Sequence, residues 1–193
     1  MLAAFIVLLA IVGIARGEGT TTVYTTLTGQ GAGYDPALGV RLDHTTARWR
    51  DIVALHGSAR GDLRKKYSAE DGHTYSVLAL ARAYLPPAPM VYLGAGVAAC
   101  GYRSEFAAGH AWSKDTVHAV LAIGYDTDVV DMDLAYYAQE HSTPNEVEAL
   151  KLCLAAKFYG PWKAMIEFTG MEYRQGTEDY KDMLWSVGLG YEW

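Results

Sequence analysis

The last eleven residues, Met183 to Trp193, read MLWSVGLGYEW. Met183, Trp185, Val187, Leu189, Tyr191 and Trp193 recur at every second position, with Leu184, Ser186, Gly188, Gly190 and Glu192 between them. Side chains alternate between the two faces of an extended strand. The stretch therefore reads as a strand with one broad apolar face and one small or polar face.

Working outward from it, the same period recurs about ten times. Thr20 to Gln30, Leu38 to His44 and Trp49 to Ser58 form the first three segments, and Tyr75 to Leu85 and Val91 to Arg103 the next two. Glycines at 94 and 96 disfavour a helix in the fifth, at a cost of about 1 kcal/mol each relative to alanine. The sixth sets Val117, Ala119, Leu121, Ile123 and Tyr125 against His118, Val120, Ala122 and Gly124. Val130 to Tyr137, Leu150 to Tyr159 and Trp162 to Thr169 complete the series before the closing strand. Propensity alone would allow a helix over Glu146 to Phe158, but a helix would scatter the residues that alternation sorts onto one face.

The closing strand, with its terminal aromatic and alternating hydrophobics, resembles the last strand of bacterial outer-membrane β-barrels. The resemblance implies an all-β, antiparallel, up-and-down transmembrane barrel in the outer membrane. It also implies that Trp185, Val187, Leu189, Tyr191 and Trp193 form the signal read by the barrel assembly machinery. Such barrels have short periplasmic turns, longer outward loops and an even number of strands. The links fit: QGAGYDPA, RGDLRKKYSAEDGH, SEFAAGHAWSK, QEHSTPNE and RQGTEDYKD alternate with short ones near Thr45 to Arg48, Pro86 to Pro89, Asp126 to Asp128 and Gly160 to Pro161. Ten strands satisfy these constraints; merging the weakly patterned first strands gives eight, the alternative. Trp49, Trp162 and Trp193 then fall near the periplasmic rim, with Trp112 and Trp185 towards the outside, as in aromatic girdles. Asp51 breaks the pattern by falling on the apparent lipid face.

The chain opens MLAAFIVLLAIVGIARG, with thirteen apolar residues from Leu2 to Ile14. That is too short for a membrane helix and suits a secretory signal, with cleavage expected after Gly17. Residues 18–193 would form a single barrel domain. No Lys or Arg precedes the apolar run, so an uncleaved anchor is the alternative. Loss of Arg16 leaves 15 basic against 22 acidic residues, a charge of −7 that argues against a nucleic-acid partner. No other stretch approaches a membrane helix, although 51% of the residues are hydrophobic and 14 are Tyr. A soluble β-sandwich or ligand-binding barrel is the rival fold.

The register sends Arg41, Arg50, Arg82, Lys151, Lys157 and Lys163 into the lumen with Asp43, Asp131, Asp133, Glu167 and Glu192. Buried charges need partners, and a barrel of this size has little free interior. A network of paired charges filling the lumen is therefore expected, with a narrow ion or small-solute path as the alternative. In the outward loops, Arg64, Lys65 and Lys66 are candidates to contact lipopolysaccharide phosphates. Arg60, Gly61 and Asp62 spell an adhesion tripeptide that is common by chance. His73, His110 and His141 lie near Asp71, Glu140 and Glu146 without tight ligand spacing, so no metal and no cofactor are expected.

His141, Ser142 and Glu146 are the weak candidates for catalysis. Some outer-membrane barrel enzymes of similar size modify lipid A, and in the deacylase family the His and Ser are one residue apart. Here they are adjacent and would point to opposite faces of a strand. Residues 142–145 read more simply as a turn. Cys100 and Cys153 both point inward on non-adjacent strands, too far apart to bridge, so two free thiols are expected. The functional reading is a monomeric structural or surface-interaction barrel, with a channel and a lipid A-modifying enzyme as alternatives.

Overall fold

The computed structural model describes residues 17–28, 37–64, 72–105, 111–138, 145–175 and 178–193. They form ten antiparallel strands: β1 (Gly17–Thr28), β2 (Ala37–Thr46), β3 (Val53–Arg64), β4 (Gly72–Leu85), β5 (Ala88–Glu105), β6 (Ala111–Asp126), β7 (Val130–Ala138), β8 (Asn145–Tyr159), β9 (Trp162–Gln175) and β10 (Glu178–Glu192). Each strand pairs with its neighbours in sequence, and β1 pairs with β10 to close the ring. The first three segments are separate strands, which rules out the eight-strand alternative. Glu146 to Phe158 lies within β8, as its alternation requires.

Alternation gives the two faces different burial. Val40, Leu55, Leu93, Val97, Val117, Leu121, Leu152, Leu154 and Ile166 are exposed on the outer face. The inward face is mostly buried, as with Leu80, Tyr92, Ala98, Val120, Tyr137 and Met165. An exposed apolar belt on every strand is unfavourable in water and favourable against hydrocarbon. Trp185, Val187, Leu189, Tyr191 and Trp193 are 41–60% exposed on this outer face.

Short turns gather at one rim. The β2–β3 turn carries Arg50 and Asp51 in the left-handed region, at φ 51° and 60°. Asp51, expected on the lipid face, is instead a turn residue at the rim. Gly160, at φ +52°, supplies the same conformation between β8 and β9 without steric cost. In the β6–β7 turn, the Thr127 hydroxyl donates to Val130 O at 2.8 Å and accepts from Val130 N at 2.9 Å. At the opposite rim the strands run past the expected bounds. β3 begins at Val53 rather than Trp49 and continues to Arg64, so Arg60, Gly61 and Asp62 are in strand rather than loop. β9 and β10 likewise take in most of the expected loop RQGTEDYKD. Of the expected signal only Gly17 is described; it pairs with Thr46 at the start of β1.

The seam between β1 and β10 is tied at the turn rim. Gly19 and Trp193 exchange backbone hydrogen bonds at 3.1 and 2.8 Å. The indole lies where a Gly19 side chain would be, stacks on His44 at 6.0 Å between centroids, and donates from Nε1 to Thr21 at 3.1 Å. Inside the barrel Tyr24 covers Gly39 in the same way: a Cβ there would come within 2.2 Å of the phenol ring. Gly39→Val is expected to destabilise the barrel by about 1–3 kcal/mol through overpacking. Gly61→Ala, where nothing lies within 4 Å, should change little. Urea titration followed by heat-dependent gel mobility measures both.

Candidate functional site

The lumen is divided. Leu80, Ala98, Cys100, Val120, Ala135, Tyr137 and Ala149, from β4 to β8, form an apolar wall. The remaining arc is polar, and charges from the two sides meet in the middle.

Glu167, on β9 and 4% exposed, is the centre of that meeting. Arg41 Nη1 donates to its Oε2 at 2.9 Å, and Arg60 Nη1 donates to its Oε1. The two arginines come from β2 and β3, three and four strands away around a ring whose farthest separation is five. The contacts therefore span the lumen. Each guanidinium is fixed by its own wall. Arg41 Nε donates to Asp43 at 2.9 Å, and its Nη1 reaches Cys153 Sγ at 3.5 Å. Arg60 Nε donates to the Tyr24 hydroxyl at 2.7 Å, and its Nη2 donates to Ser186 at 3.1 Å and Thr26 at 3.3 Å. Thr26 and Ser186 share a further bond at 3.0 Å. An isolated buried carboxylate is costly, and these bonds supply Glu167 with its partners.

Beside this clamp, Arg82 of β4 lies over the Tyr92 ring at 4.4 Å. It reaches Asp133 Oδ1 of β7 at 3.5 Å and Thr45 Oγ1 at 3.4 Å. His56 pairs with Thr45 at 2.9 Å and has Asp43 at 3.8 Å. Nearer the turn rim, Lys163 sits 2.8 Å from Asp131 and 3.0 Å from Glu192, which also binds Lys157 at 3.1 Å. At the rim itself Tyr84 donates to Asp126 at 2.6 Å, under the guanidinium of Arg48. Two cavities of about 50 and 70 Å³ lie in the charged region, and Arg41, His56, Asp133 and Cys153 border both.

Arg41, Asp43, Arg82, Asp131, Asp133, Lys157, Lys163, Glu167 and Glu192 thus sit together in ion pairs, while Lys151 faces the Tyr137 ring at 4.5 Å. Arg50 does not join them. It is exposed in the β2–β3 turn with its guanidinium over Trp49 at 4.7 Å, because β3 starts four residues later than the sequence suggests. Arg60, Tyr24, Thr26 and His56 were not named among the expected lumen residues, while Ser186 lies on the small and polar face that also carries Glu192. The signal for β3 was available: Ala54, His56, Ser58, Arg60 and Asp62 continue one face at a period of two, past the expected end at Ser58.

Arg64 ends β3, and Lys65 and Lys66 lie outside the described residues. So do His110, His141 and Ser142; Glu146 is described as backbone in β8, paired with Arg174, and His73 as backbone in β4. Among the described residues no group of three or more His, Cys, Asp or Glu side chains could hold a metal ion. Cys100 and Cys153 are both buried free thiols.

Removing the carboxylate leaves two guanidinium groups facing one another in a closed interior. Glu167→Gln is therefore expected to cost about 3–5 kcal/mol, the penalty for breaking a buried pair from one side. Removing the same carboxylate together with Arg60, in Arg60→Met with Glu167→Gln, should recover part of that loss. Urea midpoints of the folded band on gels check both.

No protein-family model matches the chain, and no curated protein matches it. Among solved structures, the outer membrane protease OmpT of Escherichia coli is similar over 92% of this chain and 97% of its own, at 10% identity and a TM-score of 0.51. The NanC porin aligns over 89% of this chain and 98% of its own, at 9% identity and a TM-score of 0.48. Neisserial surface protein A covers 91% and 94%, at 15% identity and a TM-score of 0.41. Identities at this level speak to fold and not to activity: the fold is that of bacterial outer-membrane β-barrels.

Proposed function

We propose that this chain resides in the bacterial outer membrane as a monomeric barrel of structural or surface-interaction type, with a closed lumen. In this reading residues 1–17 are a signal peptide, the turn rim faces the periplasm, and the opposite rim faces outward. The exposed apolar belt supports the membrane placement, because it would be unstable in water. Strand β10 presents Trp185 to Trp193 to the assembly machinery on its outer face. Arg64, Lys65 and Lys66 would contact lipopolysaccharide phosphates, which favour paired basic side chains.

The observation that carries the reading is the binding of Glu167 from across the lumen by Arg41 and Arg60. Side chains from opposite walls meet where a pore would need water. Among the described residues, the two cavities beside the clamp, about 50 and 70 Å³, have room for only a few waters each. A narrow channel is the second reading, favoured by the four residues that border both cavities: movement of Arg41 or His56 would join them.

In planar bilayers the refolded protein is expected to give a folded, heat-modifiable band and no conductance steps. Regular ohmic steps would instead establish the channel. Replacing Arg64, Lys65 and Lys66 together by Ser should reduce the lipopolysaccharide that copurifies with the barrel by at least half, without altering its gel mobility. Unchanged lipopolysaccharide would remove that contact from the proposal.

A further inference from the structure

The cavity of about 50 Å³ is bordered by the paired carboxylates of Glu167 and Asp133, and also by donors that the clamp does not use. Lys151 projects from β8 into it, with the Tyr137 ring face 4.5 Å from its ammonium. Among the described residues no carboxylate lies within ion-pair distance of Lys151, because Glu167 is already held by Arg41 and Arg60. From the facing wall, Ser58 of β3 and Ser76 of β4 border the same space, and neither hydroxyl has a hydrogen-bond partner among the described residues. Arg82, 7% exposed, also borders the cavity, and its buried Nε has no acceptor.

A half-buried ammonium with an aromatic face beside it and no carboxylate at ion-pair distance is incompletely compensated. Unused hydroxyl and guanidinium donors around one space have a common complement, which is an acceptor carrying negative charge. Size narrows the class. A cavity of about 150 Å³ is needed for a ligand with six heavy atoms such as benzene, so about 50 Å³ suits a species of one or two heavy atoms and excludes sulfate and phosphate. We infer that this cavity is a binding site for one small monovalent anion of the halide type, held by the Lys151 ammonium and the Ser58 and Ser76 hydroxyls. The inference goes beyond a closed barrel, since the clamp stands whether or not the site is filled.

Chloride is the probe, with gluconate as a salt whose anion is too large to enter. The full chain, refolded in detergent, is titrated with urea in sodium chloride and in sodium gluconate at equal ionic strength, and the folded band is followed on gels. Chloride should raise the unfolding midpoint with saturating dependence, by the mass action of a ligand that binds only the folded state. Bromide should substitute for it. Lys151→Met should abolish the difference between the two salts, while Lys181→Met, at a side chain 72% exposed, should preserve it. If Lys151→Met does not fold, Ser76→Ala carries the test: loss of one hydrogen bond to a charged ligand should raise the half-saturating chloride concentration by about tenfold or more. Equal midpoints in chloride and gluconate for the unaltered protein would overturn the inference. So would a chloride response that survives Lys151→Met or, where that variant is unfolded, a half-saturating chloride concentration left unchanged by Ser76→Ala.

Discussion

A carboxylate that cannot reach water must find its positive charge inside the protein, and Glu167 finds two arginines on the far side of the lumen. That requirement couples the strands that carry them. Arg41 and Arg60 can meet Glu167 only if β2, β3 and β9 hold the register seen here, since a slip of one residue would turn each side chain out into the belt. The clamp thus fixes the ring from within, as the hydrogen-bonded ladders fix it around the circumference. The rest of the charged arc follows the same rule at shorter range, with Lys163 between Asp131 and Glu192 and Arg82 beside Asp133.

The outer surface solves the opposite problem. Its large apolar side chains are exposed apart from ring pairs such as Trp162 with Tyr191 and Phe168 with Trp185, so stability there depends on the medium more than on contacts. The aromatic end of β10 bridges the two regimes. Trp193 lies over Gly19 and against His44, covering the last ladder bonds at the point where chain ends meet. Closure by Gly19 and Trp193 removes the unpaired strand edge that would otherwise recruit another chain.

Ten strands, their antiparallel order and the inward parity of most charges were legible because a period of two is a strong local signal when one face is apolar throughout. The spacing of Asp131 and Asp133, or of Lys151 and Lys157, states their face directly. Which charge meets which was not legible. The pairing of Glu167 with Arg41 and Arg60 depends on the stagger of strands around the ring, and adjacent segments in sequence say nothing about partners three or four strands away. Strand ends were also obscured. β3 was ended at Ser58 because the outward positions beyond it, Ala59 and Gly61, carry no large apolar side chain, and Arg60 was lost from the lumen with it. Arg50 was gained wrongly for the same reason, since the tight turn at Arg50 and Asp51 interrupts the alternation that was extended through it.

Cys153 offers a direct test of closure, because its thiol lies beside Arg41 and borders both cavities. In a Cys100→Ala background, the folded barrel is treated with a charged, membrane-impermeant thiol reagent, and labelling is followed by mass. A lumen closed by the Glu167 clamp leaves Cys153 unlabelled until the barrel unfolds, and Glu167→Gln makes it reactive in the folded band. Labelling of the unaltered folded barrel at the rate of the unfolded chain would contradict the account, since water and solutes would then already reach the layer that the clamp is held to close.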